Sequence, residues 1–234
     1  MLKGKGRLWP NYDGHVLPPD PYGLYEAGRQ NDTPILIGTN SDEGALFTPP
    51  KVTPQAFEQQ IRAGYGDYAD KILAAYPHAT DQEAHRAAKD IFRDTAFAWP
   101  TYTWARLQAK TGKGKVFTYF FDEHSPPSAG PLYDPDGATH ASEIAYVFGN
   151  LGPDYSTGDR ALSDQMGAYW TNFAKTGDPN GTGVPAWAAF TTAGEQTQIL
   201  GPDFSMRPTP NRAELLVLDG YYAWRRGQVK AAGR

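Results

Sequence analysis

Two apolar runs, Pro34-Ile35-Leu36-Ile37 and Lys115-Val116-Phe117-Thr118-Tyr119-Phe120-Phe121, bracket a long stretch whose apolar residues recur at helical spacing, and this arrangement most constrains the fold. The first run is short and continuous, as in a strand buried in a parallel sheet. The second is dense in aromatic and β-branched residues and is the stronger strand signal. Between them Ala56, Phe57 and Ile61, then Ile72, Leu73 and Tyr76, then Ala84, Ala87, Ala88, Ile91, Phe92 and Phe97 fall near a period of 3.6. Strands alternating with helices predict an α/β class with a mainly parallel sheet and helical insertions.

Residues 8–28, rich in proline, glycine and tyrosine, read as an extended loop feeding the first strand. Pro100 is expected to break the helix over 81–98, with a restart at 102–109 that Gly112 and Gly114 stop. A short helix is expected near 142–148 and a longer one over 159–175, with Asp159 at its start and Gly177 at its end. Residues 177–194 read as loop with Trp187 packed, 198–200 and 215–218 as a hairpin or two edge strands, and 221–229 as a helix. No repeat, low-complexity tract or linker divides residues 1–234.

With 40% hydrophobic and 13% aromatic residues the chain can bury a sizeable core. Its formal charge is -4 and its 22 basic residues are scattered, so nucleic acid is not an expected partner. Lys3, Lys5 and Arg7 read as a solvated tail. The absence of cysteine excludes disulfides and thiolate metal sites and fits a reducing compartment, so the expected location is cytoplasmic, although any signal peptide would lie upstream. No run approaches the roughly 20 apolar residues of a membrane span.

Two strings carry chemistry. Gly38-Thr39-Asn40-Ser41-Asp42-Glu43-Gly44 follows the first strand, where a parallel sheet presents its functional loops, and His140-Ala141-Ser142-Glu143-Ile144 follows a Gly/Pro-rich loop. By itself, Asp42-Glu43 before glycine is a solvated turn, and a lone histidine is a surface or core residue. A glutamate and a histidine gain meaning together with a nucleophile. The G-x-S-x-G elbow that exposes a catalytic serine is not found around Ser41, Ser125, Ser128, Ser142, Ser156, Ser163 or Ser205. His15, His78, His85 and His124 have no metal-like spacing, and neither a metal nor another cofactor is expected.

Over almost its whole length the chain resembles the type B carboxylesterases, the cholinesterase-like branch of the α/β-hydrolase fold. The residues that carry this are Pro10-Asn11-Tyr12-Asp13-Gly14, the run from 34 to 44, Asp94 with Phe97 and Pro100, the segment 137–149, Tyr169-Trp170-Thr171-Asn172-Phe173-Ala174-Lys175-Thr176-Gly177-Asp178-Pro179-Asn180, and Trp187. The resemblance implies that residues 1–234 are the C-terminal portion of one such domain. It makes Glu43 the triad acid and His140 the triad base, with the serine and oxyanion-hole glycines in a preceding half. Phe97 would border the substrate. Ala141 departs from the pattern, since glycine commonly follows the histidine. Glu143 is either a hydrogen-bond partner behind the pair or a charge favoured at a helix start.

Serine is a poor nucleophile at neutral pH, so an imidazole, with an ordinary pKa of about 6.5, must take its proton and return it to the leaving alkoxide. The acid would hold the other ring nitrogen's proton and fix the tautomer. The implied activity is hydrolysis of small carboxylic esters, with the isolated chain inactive. The alternative is a cholinesterase-like binding module without catalysis. A chain lacking the first half of the sheet is expected to self-associate unless that half is supplied.

Overall fold

The structure, a computed structural model, describes residues 12–232, so the expectations for Pro10, Asn11 and the basic tail lie outside the described residues. Within 8–28 the chain forms a short helix, α1 (Pro21–Glu26), where only loop was expected. Asp20 accepts the Gly23 N–H as N-cap and Pro21 stands at the first helical position, where its fixed φ suits a helix and its missing donor is not needed.

Strand β1 (Ile35–Asn40) then runs into the Glu43 loop. Helices α2 (Pro54–Tyr65), α3 (Ala69–Ala75), α4 (Asp81–Arg93) and α5 (Trp99–Thr111) follow. Thr53 caps α2, and Thr80 with Glu83 forms a capping box on α4. Pro100 does not break the helical path as expected. Residues Asp94–Ala98 form a π-helical turn in which the Trp99 N–H reaches the Asp94 carbonyl, and this wider turn carries α4 into α5. Proline lacks a donor and its ring crowds the carbonyl four residues back, and a local π turn relieves both.

Strand β2 (Val116–Phe121) leads through a 3-10 segment to α6 (Glu143–Val147) and α7 (Thr157–Thr176). Helix α7 starts earlier than expected, with Ser156 as N-cap and Asp159 as the reciprocal member of its capping box. Gly177 ends it in the left-handed region at φ 73°. Strand β3 (Gln196–Leu200) pairs with β4 (Met206–Pro208), and the chain closes in α8 (Arg212–Ala232). Residues 215–218 are therefore helical and not a strand. Leu215 and Leu218, with Tyr221, are buried at a spacing of three while Leu216 is exposed, which is the pattern of a helix face.

The sheet order is β1-β2-β3-β4, parallel except for β4. In-register pairing of β1 with β2, from Ile35 opposite Val116 to Asn40 opposite Phe121, brings the C-terminal ends of both strands to the same edge. Alternation along β2 builds the core on two faces. Val116 packs with Tyr102, Ala105 and Leu215, whereas Phe117 packs with Tyr169 and Trp187, and Phe121 with Tyr146 and Met166. A fourth cluster, Phe57, Ile61, Ile72, Ala84, Ile91 and Leu218, joins α2, α3, α4 and α8. Among the described residues no helix is long and apolar enough to cross a membrane.

Candidate active site

The loops that follow β1 and precede α6 are laced together by their own backbones. Asp42 donates its N–H to the Ala138 carbonyl at 2.8 Å, and Ala138 donates its N–H to Ser41 Oγ at 2.8 Å. The Asn40 amide donates to the Thr139 carbonyl at 2.7 Å. Two glycines permit this approach. A Cβ on Gly137 would fall 2.8 Å from Ser41 Oγ, and one on Gly44 would fall 2.1 Å from the Lys89 carbonyl of α4.

This lacing brings Glu43 and His140 together, with His140 Nδ1 2.6 Å from Glu43 Oε2. Glu43 is 5% exposed, and its other oxygen accepts the Asn40 N–H at 2.9 Å. Burial raises the Glu43 carboxyl above its ordinary value, opposed by the hydrogen bonds from Asn40 and His140. The His140 side chain is 41% exposed. A proton on Nδ1 held by Glu43 leaves Nε2 as the basic nitrogen, so the pair is built to accept a proton at one atom. Among the described residues no serine is hydrogen-bonded to His140: Ser41 Oγ takes the Ala138 N–H, and Ser142 Oγ donates to the Thr139 carbonyl.

Ala141, next to the histidine, has φ 69°. That is left-handed backbone, where an L side chain is strained and glycine is not. Glu143 occupies both positions left open by the sequence. It begins α6, and its Oε2 accepts from the Asn40 amide at 2.5 Å, so Asn40 connects Glu43, Thr139 and Glu143. Sequence reasoning gave Asn40 no role, since its three partners are far apart in the chain or bonded through the backbone.

Phe97 lies in the π turn, its ring centroid 4.7 Å from that of His140. Phe47 stands 5.6 Å from the same imidazole and stacks on Phe92 at 4.8 Å. These three rings make an apolar wall beside the half-exposed histidine. Phe92 was legible only as a helix-face residue and Phe47 not at all, because no pattern in the sequence joins 47, 92, 97 and 140. Trp99 and Tyr102 pack in the core beneath, Trp104 is exposed, and His124 stands elsewhere, 3.9 Å from Asp122.

Similarity to known proteins identifies the family and the fold. The carboxylesterase family model matches residues 3–215. Human bile salt-activated lipase is 33% identical over 78% of this chain and 27% of its own length. Acetylcholinesterase of Bungarus fasciatus is 27% identical over 85% of this chain and 37% of its own. A solved PNB esterase superposes with a TM-score of 0.71 at 28% identity, covering 89% of this chain and 43% of that one. The chain thus spans about a third of the curated relatives it matches. By fold and by sequence, the chain belongs to the carboxylesterase family of serine hydrolases with the α/β-hydrolase fold.

Proposed function

We propose that this chain supplies the acid, Glu43, and the base, His140, of an esterase acting on small carboxylic esters, and that the nucleophilic serine and oxyanion hole are held by polypeptide outside it. The observation that carries this reading is the 2.6 Å contact between Nδ1 of a half-exposed imidazole and a buried carboxylate. In the forward step Nε2 of His140 removes the serine proton as the serine oxygen attacks the ester carbonyl. The imidazolium so formed is stabilised by Glu43, and it returns the proton to the departing alkoxide. Water then repeats the sequence on the acyl-enzyme. Asn40 and Glu143 would hold Glu43 in place, and Phe47, Phe92 and Phe97 favour an ester with an apolar acyl or alcohol group beside the base. A reducing, cytoplasmic setting belongs to the same reading.

The test is turnover of a short-chain nitrophenyl ester by the chain alone and after fusion to the elbow-bearing half of a related carboxylesterase. Turnover that appears only in the fusion and disappears in His140→Ala is expected. A folded fusion with an intact elbow serine and no turnover would favour a binding module instead.

A further inference from the structure

Helix α4 lies against both loops, and one of its side chains reaches both. Lys89 is 4% exposed, an unusual place for a lysine. Its ammonium donates to Asp42 Oδ2 at 2.9 Å, to Asp134 Oδ2 at 2.9 Å and to Asp136 Oδ2 at 3.3 Å. Asp42 immediately precedes Glu43, while Asp134 and Asp136 belong to the loop that enters His140. The backbone of the same lysine abuts Gly44, on the other side of Glu43. One residue therefore touches both chain neighbours of the acid and the approach to the base.

The carboxylates of Asp42, Asp134 and Asp136 are near enough to share a cation, and the lysine ammonium takes that place. Burial opposes its charge, but Asp42 and Asp134 outweigh this and hold the amine above its ordinary value. Arg86 adds a second cation 3.4 Å from Asp42, and Arg93 donates to the Ser41 carbonyl at 3.1 Å. The lacing of 40–42 to 138–139 leaves Asp134 and Asp136 untouched, and Lys89 is their tie to the acid-bearing loop.

We propose that Lys89 is a positioning residue for the Glu43–His140 pair, its ammonium drawing the two loops together through Asp42, Asp134 and Asp136 and so setting the reach of Glu43 to His140. Removing one member of a buried charged cluster leaves the others uncompensated, so Asp134 and Asp136 are driven away from Asp42 when the ammonium goes, and the segment entering His140 shifts on the backbone lacing that remains. The proposal rests on the reading of the pair as acid and base, but it is tested on the hydrogen bond and not on turnover.

The experiment uses the chain labelled with 15N-histidine, whose ring-nitrogen shifts report the tautomer in solution or, for associated protein, in the solid. Wild-type His140 is expected to be Nδ1-protonated, and folded Lys89→Met to shift toward the Nε2-protonated form. The sequence has no cysteine, so Lys89→Cys can be aminoethylated while unfolded and then refolded, which restores an ammonium and is expected to restore the tautomer. A merely structural lysine would lower the melting temperature of Lys89→Met and leave the tautomer unchanged, and that result overturns the proposal. Should Lys89→Met not fold, the pair Asp134→Asn and Asp136→Asn keeps Lys89 on Asp42 and decides the question in the same way. A wild-type His140 without its Nδ1 proton defeats the acid–base reading and the clamp together, whereas an unchanged tautomer in the variants defeats the clamp alone.

Discussion

Replacing Ala141 with glycine should stabilise the folded chain, although the same replacement in a helix destabilises it. Ala141 sits at φ 69°. An L residue there carries a penalty of roughly 1–2 kcal/mol from its Cβ. Glycine removes that penalty but gives the unfolded chain extra freedom, which returns about 0.4–1 kcal/mol. The midpoints of these two ranges leave a net gain of about 0.8 kcal/mol, or roughly 2–3 °C in melting temperature for a chain of this size. The control is Ala161→Gly at an exposed interior position of α7, where right-handed backbone makes glycine about 1 kcal/mol worse than alanine. Thermal unfolding followed by near-ultraviolet circular dichroism should thus move in opposite directions for one chemical change at two sites. Parallel losses at both would refute the account of the loop after His140.

Gly44→Ala places a methyl group 2.1 Å from the Lys89 carbonyl and 2.7 Å from its Cα, so α4 must retreat from the Glu43 loop. The expected loss is about 3 kcal/mol, visible as a melting temperature lower by roughly 6–12 °C. Glu43→Gln should show a stability difference that depends on pH. A carboxyl raised above its unfolded value of 4.5 binds its proton more tightly in the folded state, so wild-type stability falls as pH rises from that value through the folded one. Urea midpoints should therefore favour the glutamine variant at neutral pH and converge below about pH 4, and a variant advantage that grows toward acid would be the wrong sign. Strand β1 has one strand neighbour among the described residues, and Ile35, Leu36 and Ile37 are only partly covered, so the isolated chain should elute from size exclusion as associated species. A monodisperse monomer with a cooperative melt would contradict that expectation.

What could be read from the sequence was what is local. Ile35 to Ile37 and Val116 to Phe121 declared themselves as strands by residue type, and α2 to α4 by their apolar period, since those signals need no distant partner. The strings around Glu43 and His140 could be recognised, and the 2.6 Å contact between them follows from in-register pairing of β1 and β2 with the lacing beyond. The failures share a cause. Leu215 to Leu218 is an apolar run that either period accommodates, and only its packing against α3 and α5 selects a helix. Pro100 stops a regular helix, but not one that can widen to a π turn just before it. Lys89 had no signal in the sequence, because the three aspartates that surround it come from two loops more than 40 residues away in either direction.

The most direct test of the central claim is a double-mutant cycle in the fusion bearing the elbow serine, with nitrophenyl ester turnover measured for His140→Ala, Glu43→Gln and the two combined. If the residues act as one proton-handling unit, each single change lowers kcat by roughly 10⁴-fold or more, and the double variant is no slower than His140→Ala alone. Effects that multiply, or turnover that survives the loss of His140, would contradict it.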